Sequence, residues 1–363
     1  MPPQPYLKRI VEERATLTRE EARELMQQVL AGRWADVELA ALLGAIAARG
    51  ESAAELAGFV DVMRGRATAV PLDEAERAAL VDTCGTGGDA SGTFNISTAA
   101  ALAAAAAAAE LGGEQTKIMV AKHGNRAVTS ACGSADVLEA LGVPVALAPE
   151  AAAKALRAYR FAFLHAPALH PAMKAVMPVR RALGVRTVFN VLGPLTNPAG
   201  ARAQVMGVYS AALVPIVAEA MQMLGTRHAF VVHGFADKAR TKGLDELSIS
   251  GPSQLAEVRG GDITLAEITP EQLGFATAPI SALRGGDAQA NATILRAIFA
   301  GEKGPRRDVV LLNTAAVLVA AGAVPSEPGK LLDALRAGVA VAARTVDSGA
   351  VNALIADLVT SQA

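Results

Sequence analysis

The sequence predicts an α/β protein: a small N-terminal helical domain joined to a larger α/β domain with a mainly parallel central sheet and surrounding helices. Three observations carry this. Residues 1–72 show helical periodicity and no strand signal, whereas the remainder alternates short apolar runs, ending in glycine or polar turns, with helical stretches. The chain of 363 residues also exceeds the roughly 100–200 residues of one compact core.

In the N-terminal part, Thr18 with Glu21 and Ser52 with Glu55 have the spacing of capping boxes directly before apolar-periodic runs. Leu25, Val29 and Leu30 form one expected core stripe, and Leu39, Leu42, Leu43 and Ile46 another. Beyond residue 72, strands are expected at residues 79–83, 117–121, 143–147, 229–233 and 309–313. Helix returns at residues 171–183, with Lys174, Arg180 and Arg181. On this reading residues 168–184 join the helical domain and help form a cleft. That leaves residues 73–167 and 185–363 as the α/β domain. The alanine run at residues 99–109 combines high helix propensity with side chains small enough for close approach to a sheet. Residues 235–244, with Asp237, Lys238, Arg240 and Lys242, read as an exposed, mobile loop.

Composition narrows the function. Hydrophobic residues make up 52% and aromatics 4%, which favours close helix packing over aromatic surface recognition. Lysine plus arginine number 34 against 35 acids, so no global field draws in a polyanion and nucleic acid is not an expected partner. Cys84 and Cys132 lack metal-type spacing and fit a reducing cytoplasm. Residues 1–6 lack the basic start and apolar core of an export signal. The apolar stretches at residues 96–111 and 309–324 read as buried elements and not membrane spans, the first being mostly alanine and the second carrying Asn313 and Thr314.

Five segments could carry chemistry. Gly85, Gly87 and Gly88, in the turn from Asp82 to Asp89, let backbone N–H groups approach a phosphate or diphosphate. Thr93, Asn95, Ile96, Ser97 and Thr98 immediately precede the alanine helix, whose N-terminus suits an anion. Lys122, His123, Gly124, Asn125 and Arg126, with Thr129, Ser130 and Ser134 behind them, follow an apolar run and lie where α/β sheets place ligands. Asp245 and Glu246 are adjacent carboxylates of the kind that hold Mg²⁺ beside a diphosphate. Arg180 carries a planar guanidinium able to grip a carboxylate through two hydrogen bonds. Taken singly, each has a plain structural explanation, such as a turn, a cap or a solvated charge.

Read in order, the segments closely resemble the anthranilate phosphoribosyltransferase family. The likeness continues through residues 133–139, Arg180, residues 186–195 and 244–248, and Gly285 to Ala288, and it extends into the N-terminal helices. It implies a fold shared with pyrimidine nucleoside phosphorylases, a homodimer formed through the helical domain, and transfer of phosphoribose from phosphoribosyl diphosphate (PRPP) to anthranilate. It also implies residue roles. Gly85, Gly88, Asp89, Thr93, Asn95, Ile96, Ser97, Thr98, Lys122, His123, Gly124, Asn125, Ser130 and Ser134 correspond to PRPP contacts. Ser97, Asp245 and Glu246 match Mg²⁺ ligands; Gly85, Asn125 and Arg180 match anthranilate contacts; and Lys122, Asp245 and Glu246 carry the catalysis. Residues 110–119 and 235–244 are longer than the family usually shows and read as loop insertions. A pyrimidine nucleoside phosphorylase is the nearest rival, but the intact motifs for diphosphate and metal speak against it. A nucleic-acid-binding relative would need a basic groove that this near-neutral chain does not provide.

Overall fold

The computed structural model describes residues 3–111, 118–127 and 131–360. The N-terminal helices are α1 (Pro3–Val11), α2 (Arg19–Leu30), α3 (Asp36–Arg49) and α4 (Ala53–Arg66). Both anticipated capping boxes form, at Thr18 and at Ser52. Glu55 does more than cap: fully buried, it accepts bonds from Arg49 Nη2 at 2.6 and 2.7 Å, from Leu17 N at 3.0 Å and from Ser52 N at 3.0 Å. A carboxylate can be buried there because every oxygen has a donor and the charge has a partner.

The α/β part runs α5 (Glu74–Ala78), β1 (Leu80–Gly85), α6 (Ile96–Leu111), β2 (Met119–Gly124), α7 (Ser134–Leu141), α8 (Pro149–Tyr159) and β3 (Phe161–His165). The chain then passes through α9 (Ala166–Leu169), a 3-10 turn (Pro171–Ala175), α10 (Met177–Leu183) and α11 (Val188–Leu195). It returns through β4 (Ala203–Gly207), α12 (Leu213–Met223), β5 (His228–Phe235), β6 (Gly243–Leu244), β7 (Ser253–Arg259) and β8 (Asp262–Ile268). Four helices close the fold: α13 (Ala288–Phe299), α14 (Pro305–Ala321), α15 (Leu331–Asp347) and α16 (Ala350–Thr360).

The strands form one sheet in the order β3-β2-β1-β4-β5-β7-β8, with β6 on β5. Pairs among β1 to β5 are parallel, and those involving β6, β7 and β8 are antiparallel. Successive residues face opposite sides, as the strand period of two requires. Val81, Val205, Phe230 and Val232 pack with α6, α14, α15 and α16. Met206, Ala229 and Val231 face α11, α12 and the apolar side chains of the N-terminal helices, so the bundle core runs unbroken onto the sheet. Residues 99–108 of the alanine helix are at most 2% exposed, and that smooth surface is what lets α14 and α15 lie close against it.

Two expected strands are corrected. Residues 143–147 form a non-strand connection after the left-handed Gly142, yet Val143 and Val145 are buried, so the apolar run marks core position and not sheet pairing. Residues 309–313 lie inside α14, because a five-residue apolar run cannot distinguish a strand from a buried helix. Pro305 at the helix start and the left-handed Gly322 after its end mark its true bounds. Strands β3, β4, β6, β7 and β8 were not anticipated, β6 lying in the stretch read as a loop. Of the polar loop, residues 238–242 are mainly exposed, but Lys238 pairs with Glu271 and Arg240 with Glu267. Residues 112–117 of the other long segment lie outside the described residues. Among the described residues no single helix is long and apolar enough to cross a membrane.

Candidate active site

The chain leaves β1 for β2 and β3 on one side and later places β4 on the other, so the strand order reverses between β1 and β4. Outside the carboxyl ends of two such strands a crevice opens, the usual ligand position in an open parallel sheet. Gly85 and Gly207 are register partners at those two ends. A Cβ on Gly207 would stand 1.5 Å from the Asp245 carbonyl oxygen, and one on Gly85 2.1 Å from Asp245 Oδ2. The missing side chains therefore admit the segment that follows β6 and carries the acidic pair.

There the anion-suited backbone groups meet the acids. Asp245 Oδ2 accepts the Gly87 N–H at 2.6 Å, and Glu246 Oε1 accepts the Ser97 N–H of α6 at 3.1 Å. The Asp245 N–H donates to Asp89 Oδ2 at 3.3 Å. Lys122, 1% exposed, donates through Nζ to the Thr83 carbonyl at 2.7 Å and to Ser97 Oγ at 3.2 Å. Burial pushes the Asp245 carboxyl well above the usual carboxylate range, with Asp89 adding repulsion. Glu246 moves the same way through burial and the neighbouring Asp245, opposed by Lys122. Burial also lowers the Lys122 pKa, against the pull of the nearby acids. The charged forms of all three groups are thus disfavoured mainly by burial, and a bound cation would offset that cost for the two carboxylates.

Beneath it lies Asp82, fully buried and pushed up to about 6 by desolvation. Its carboxyl accepts from Asn197 Nδ2 at 2.9 Å and from His123 N at 3.2 Å, which ties β1 to β2 below Lys122. At the turn, Gly88 has φ +77°, and Arg186 Nη1 donates to its carbonyl at 2.7 Å while the guanidinium lies 4.6 Å from the Tyr209 ring centroid. Thr93 Oγ1 is 3.2 Å from Ser91 Oγ. Asn95 Oδ1 accepts from Asn291 Nδ2 at 2.8 Å. Ile96 turns its side chain into the core, leaving only its backbone near the turn. Thr98 Oγ1 is buried with no hydrogen-bond partner among the described residues.

Farther along the edge, Gly124 ends β2 under Ser134, the first residue of α7. Asn125 is exposed, and its Oδ1 accepts the Arg126 N–H at 2.7 Å. Ser130 lies outside the described residues, as does Thr129. His123 packs against His170 with centroids 5.1 Å apart, and burial first, then His170, drives it down to about 3. The Nε2 atoms of His123, His165 and His170 are buried without partners among the described residues. Arg180, on α10, sits half-buried over the Phe189 ring at 5.3 Å, with Met177 Sδ at 3.9 Å and no carboxylate partner among the described residues. The structure thus joins Gly85, Gly87, Asp89, Ser97, Lys122, Asp245 and Glu246 by direct contacts, whereas among the described residues no side-chain hydrogen bond or ion pair links Arg180 or Asn125 to that set.

Sequence reading missed Gly207, Asn197, Asn291, His165 and His170, and it placed Asp82 and Arg186 in motif stretches without giving them a role, because their partners lie far away along the chain. Asn313 did have a local signal, as a polar residue in an apolar run.

A helical bundle packed on a mainly parallel sheet whose reversal point gathers a glycine turn, a helix N-terminus, a buried lysine and two acids defines a class of group-transfer enzymes. Residues 4–67 match the glycosyl transferase family, helical bundle domain, and residues 77–352 match the glycosyl transferase family, a/b domain. Within that class, the chain is 48% identical over 338 residues to the anthranilate phosphoribosyltransferase of Chloroflexus aggregans, covering 93% of this chain and 92% of that one. It is 44% identical over 361 residues to that of Geobacter sulfurreducens, covering 96% and 97%. The crystal structure of the Thermus thermophilus anthranilate phosphoribosyltransferase superposes with a TM-score of 0.84 at 42% identity, covering 98% of both chains. That of the Saccharomyces cerevisiae enzyme in complex with PRPP and Mg does so with 0.83 at 25% identity, covering 99% of this chain and 98% of that one. The chain belongs to the anthranilate phosphoribosyltransferase family.

Proposed function

We propose that this protein transfers the phosphoribosyl group of PRPP to the amine of anthranilate, a step of tryptophan biosynthesis, giving N-(5′-phosphoribosyl)anthranilate and diphosphate. The observation that carries the reading is the contact chain Gly87–Asp245–Glu246–Ser97–Lys122 at the switch point of the sheet. In the reaction the bond from ribose C1′ to the diphosphate oxygen breaks, a C1′–N bond forms, and the amine loses a proton. Aniline-type nitrogen is a weak nucleophile, so the help goes mainly to the departing diphosphate and to alignment.

Phosphate oxygens would lie at the Gly85–Gly88 turn and the N-terminus of α6, where Asp245 and Glu246 hold the Gly87 and Ser97 N–H groups, flanked by Asp89, Thr93, Asn95, Thr98 and Ser134. Lys122 brings positive charge toward the leaving group. Asp245, Glu246 and Ser97 Oγ form a hard oxygen set that suits Mg²⁺, and no group of three or more His, Cys, Asp or Glu side chains among the described residues is arranged for a metal by itself. Mg²⁺ takes one or two carboxylates and completes its shell with substrate oxygens. Bound there, Mg²⁺ would neutralise charge on the diphosphate. Arg180, without an acidic partner among the described residues, is suited to the anthranilate carboxylate, and the family resemblance adds Asn125 and Gly85 as anthranilate contacts.

We divide the chain into a helical domain of residues 1–72, completed by residues 168–184, and an α/β domain of residues 73–167 and 185–363. A homodimer through the helical domain is what the family resemblance implies. A cytoplasmic location fits two buried thiols, Cys84 and Cys132. The deciding assay mixes the purified protein with anthranilate, PRPP and Mg²⁺ and follows anthranilate fluorescence. Loss of fluorescence that requires both PRPP and Mg²⁺ is expected, and its absence would overturn the assignment. Light scattering tests the dimer.

A further inference from the structure

Helix α14 is buried from Val309 to its end at Ala321, and within that stretch stands Asn313, 1% exposed. Its neighbour Thr314 satisfies its hydroxyl within the helix, on the Val310 carbonyl at 2.7 Å. Asn313 does something else. Its Oδ1 accepts the Leu247 N–H at 3.0 Å, and its Nδ2 donates to the Leu247 carbonyl at 2.9 Å as well as to Val309 O at 2.9 Å. One amide thus holds both backbone groups of a residue far away in sequence. Asparagine is a poorer helix former than leucine, and burying its amide is tolerable only with these partners. Helix formation alone gives no reason for it, and the clamp does.

Leu247 directly follows Asp245 and Glu246. Upstream, the acidic pair is held by β6 on β5. Downstream, the Ser248 N–H donates to Ser253 Oγ at 2.9 Å and the Ser248 hydroxyl to Phe235 O at 2.7 Å. Helix α14 also packs along α6, whose first turn presents Ser97 to Glu246. The helix that carries Asn313 therefore touches both halves of the site.

We propose that Asn313 is a positioning residue: by clamping the Leu247 backbone it sets Asp245 and Glu246 against the glycine turn and the start of α6, in register for the cation and diphosphate. The proposal rests on the transferase reading given above for the chemistry served, but the clamp itself is tested apart from activity. Amide hydrogen exchange comes first. In the unaltered protein the peptide covering residues 245–248 should exchange far more slowly than residues 238–242, and equal rates would overturn the clamp whatever a variant does.

Asn313→Leu, alike in branching though larger, then removes both bonds to Leu247. The expected result is faster exchange at residues 245–248 with unchanged exchange in β1, and a cooperative melt. Calorimetric titration with PRPP, with and without Mg²⁺, should show binding weakened on the order of 10- to 100-fold when Mg²⁺ is present and little changed without it. The anthranilate KM should stay within about twofold, since the clamp does not reach Arg180. Asn313→Thr, which can keep one of the two bonds, should fall between. A well-folded Asn313→Leu protein with faster exchange but unaltered Mg²⁺-dependent PRPP binding would overturn the positioning role and leave the transferase reading standing. Loss of activity in the unaltered protein would do the reverse.

Discussion

Gly85 and Gly207 face each other across the carboxyl ends of β1 and β4, and the Asp245 backbone and carboxylate occupy the space that a side chain on either would fill. A Cβ at position 207 would overlap the Asp245 carbonyl, which is backbone and cannot swing aside. Gly207→Ala should therefore displace the acidic pair while leaving the sheet intact. We expect turnover to fall on the order of a hundredfold, as for misplacement of a catalytic group by about an ångström. Circular dichroism and steady-state kinetics check it, and near-normal turnover would contradict the close approach.

Replacing Asp245 with Asn together with Glu246 with Gln should remove most turnover, on the order of a hundredfold or more, and raise the Mg²⁺ needed. Stability should move the other way. Burial raises the pKa of both carboxyls, so their stabilising contribution is complete at low pH and is lost as the pH rises through the folded-state values. Neutral amides escape that loss. A melting temperature at pH 8 equal to or above that of the unaltered protein is the expected result, and a marked drop would show that the charges hold the fold.

The same sign governs Asp82, whose carboxyl is pushed from 3.8 to about 6. Its ionisation is harder in the folded chain, so stability declines between about pH 4 and pH 6 and levels off above. Asp82→Asn loses one acceptor for Asn197 or His123 at every pH, but not that decline. The difference in unfolding free energy between the two proteins should therefore shift in favour of Asp82→Asn by up to about 3 kcal/mol from pH 4 to pH 7. Urea melts at a series of pH values measure it, and parallel curves would refute it.

Arg180 separates the substrates. Its guanidinium rests on Phe189 and is drawn below its ordinary pKa by desolvation, without a carboxylate to answer it among the described residues. Arg180→Ala should raise the anthranilate KM on the order of ten- to a hundredfold, since a charge-assisted bond is worth about 1.5–3 kcal/mol, and leave PRPP binding nearly unchanged. Arg180→Lys should restore part of it, because a point charge cannot reproduce a two-pronged grip. Varying each substrate in turn, beside a melting curve, decides the matter; a normal anthranilate KM in Arg180→Ala would remove Arg180 from that role.

By itself the sequence determined what depends on neighbours along the chain. The capping boxes at Thr18 and Ser52, the alanine helix, the glycine turn after β1 and the lysine-bearing end of β2 all form where local spacing placed them. Their reasons are short-range: a cap lies three residues from its donor, and a helix start needs only its own first turn. The order of motifs was enough to resemble a family, but not to place its members in contact.

Tertiary structure decided the rest. Residues 309–313 misled because they are buried on every side, against α6 and α15 among others, which erases the periodicity that tells helix from strand, although Pro305 and Gly322 mark the helix bounds. Strand order alone brings Gly207 beside Gly85 and opens room for Asp245, and helix packing alone sets Asn313 under Leu247. Such pairings are written in no local pattern. They arise because close packing leaves each buried polar group only the partners that the fold carries to it, so the acidic pair's place follows from the whole sheet and not from residues 245 and 246.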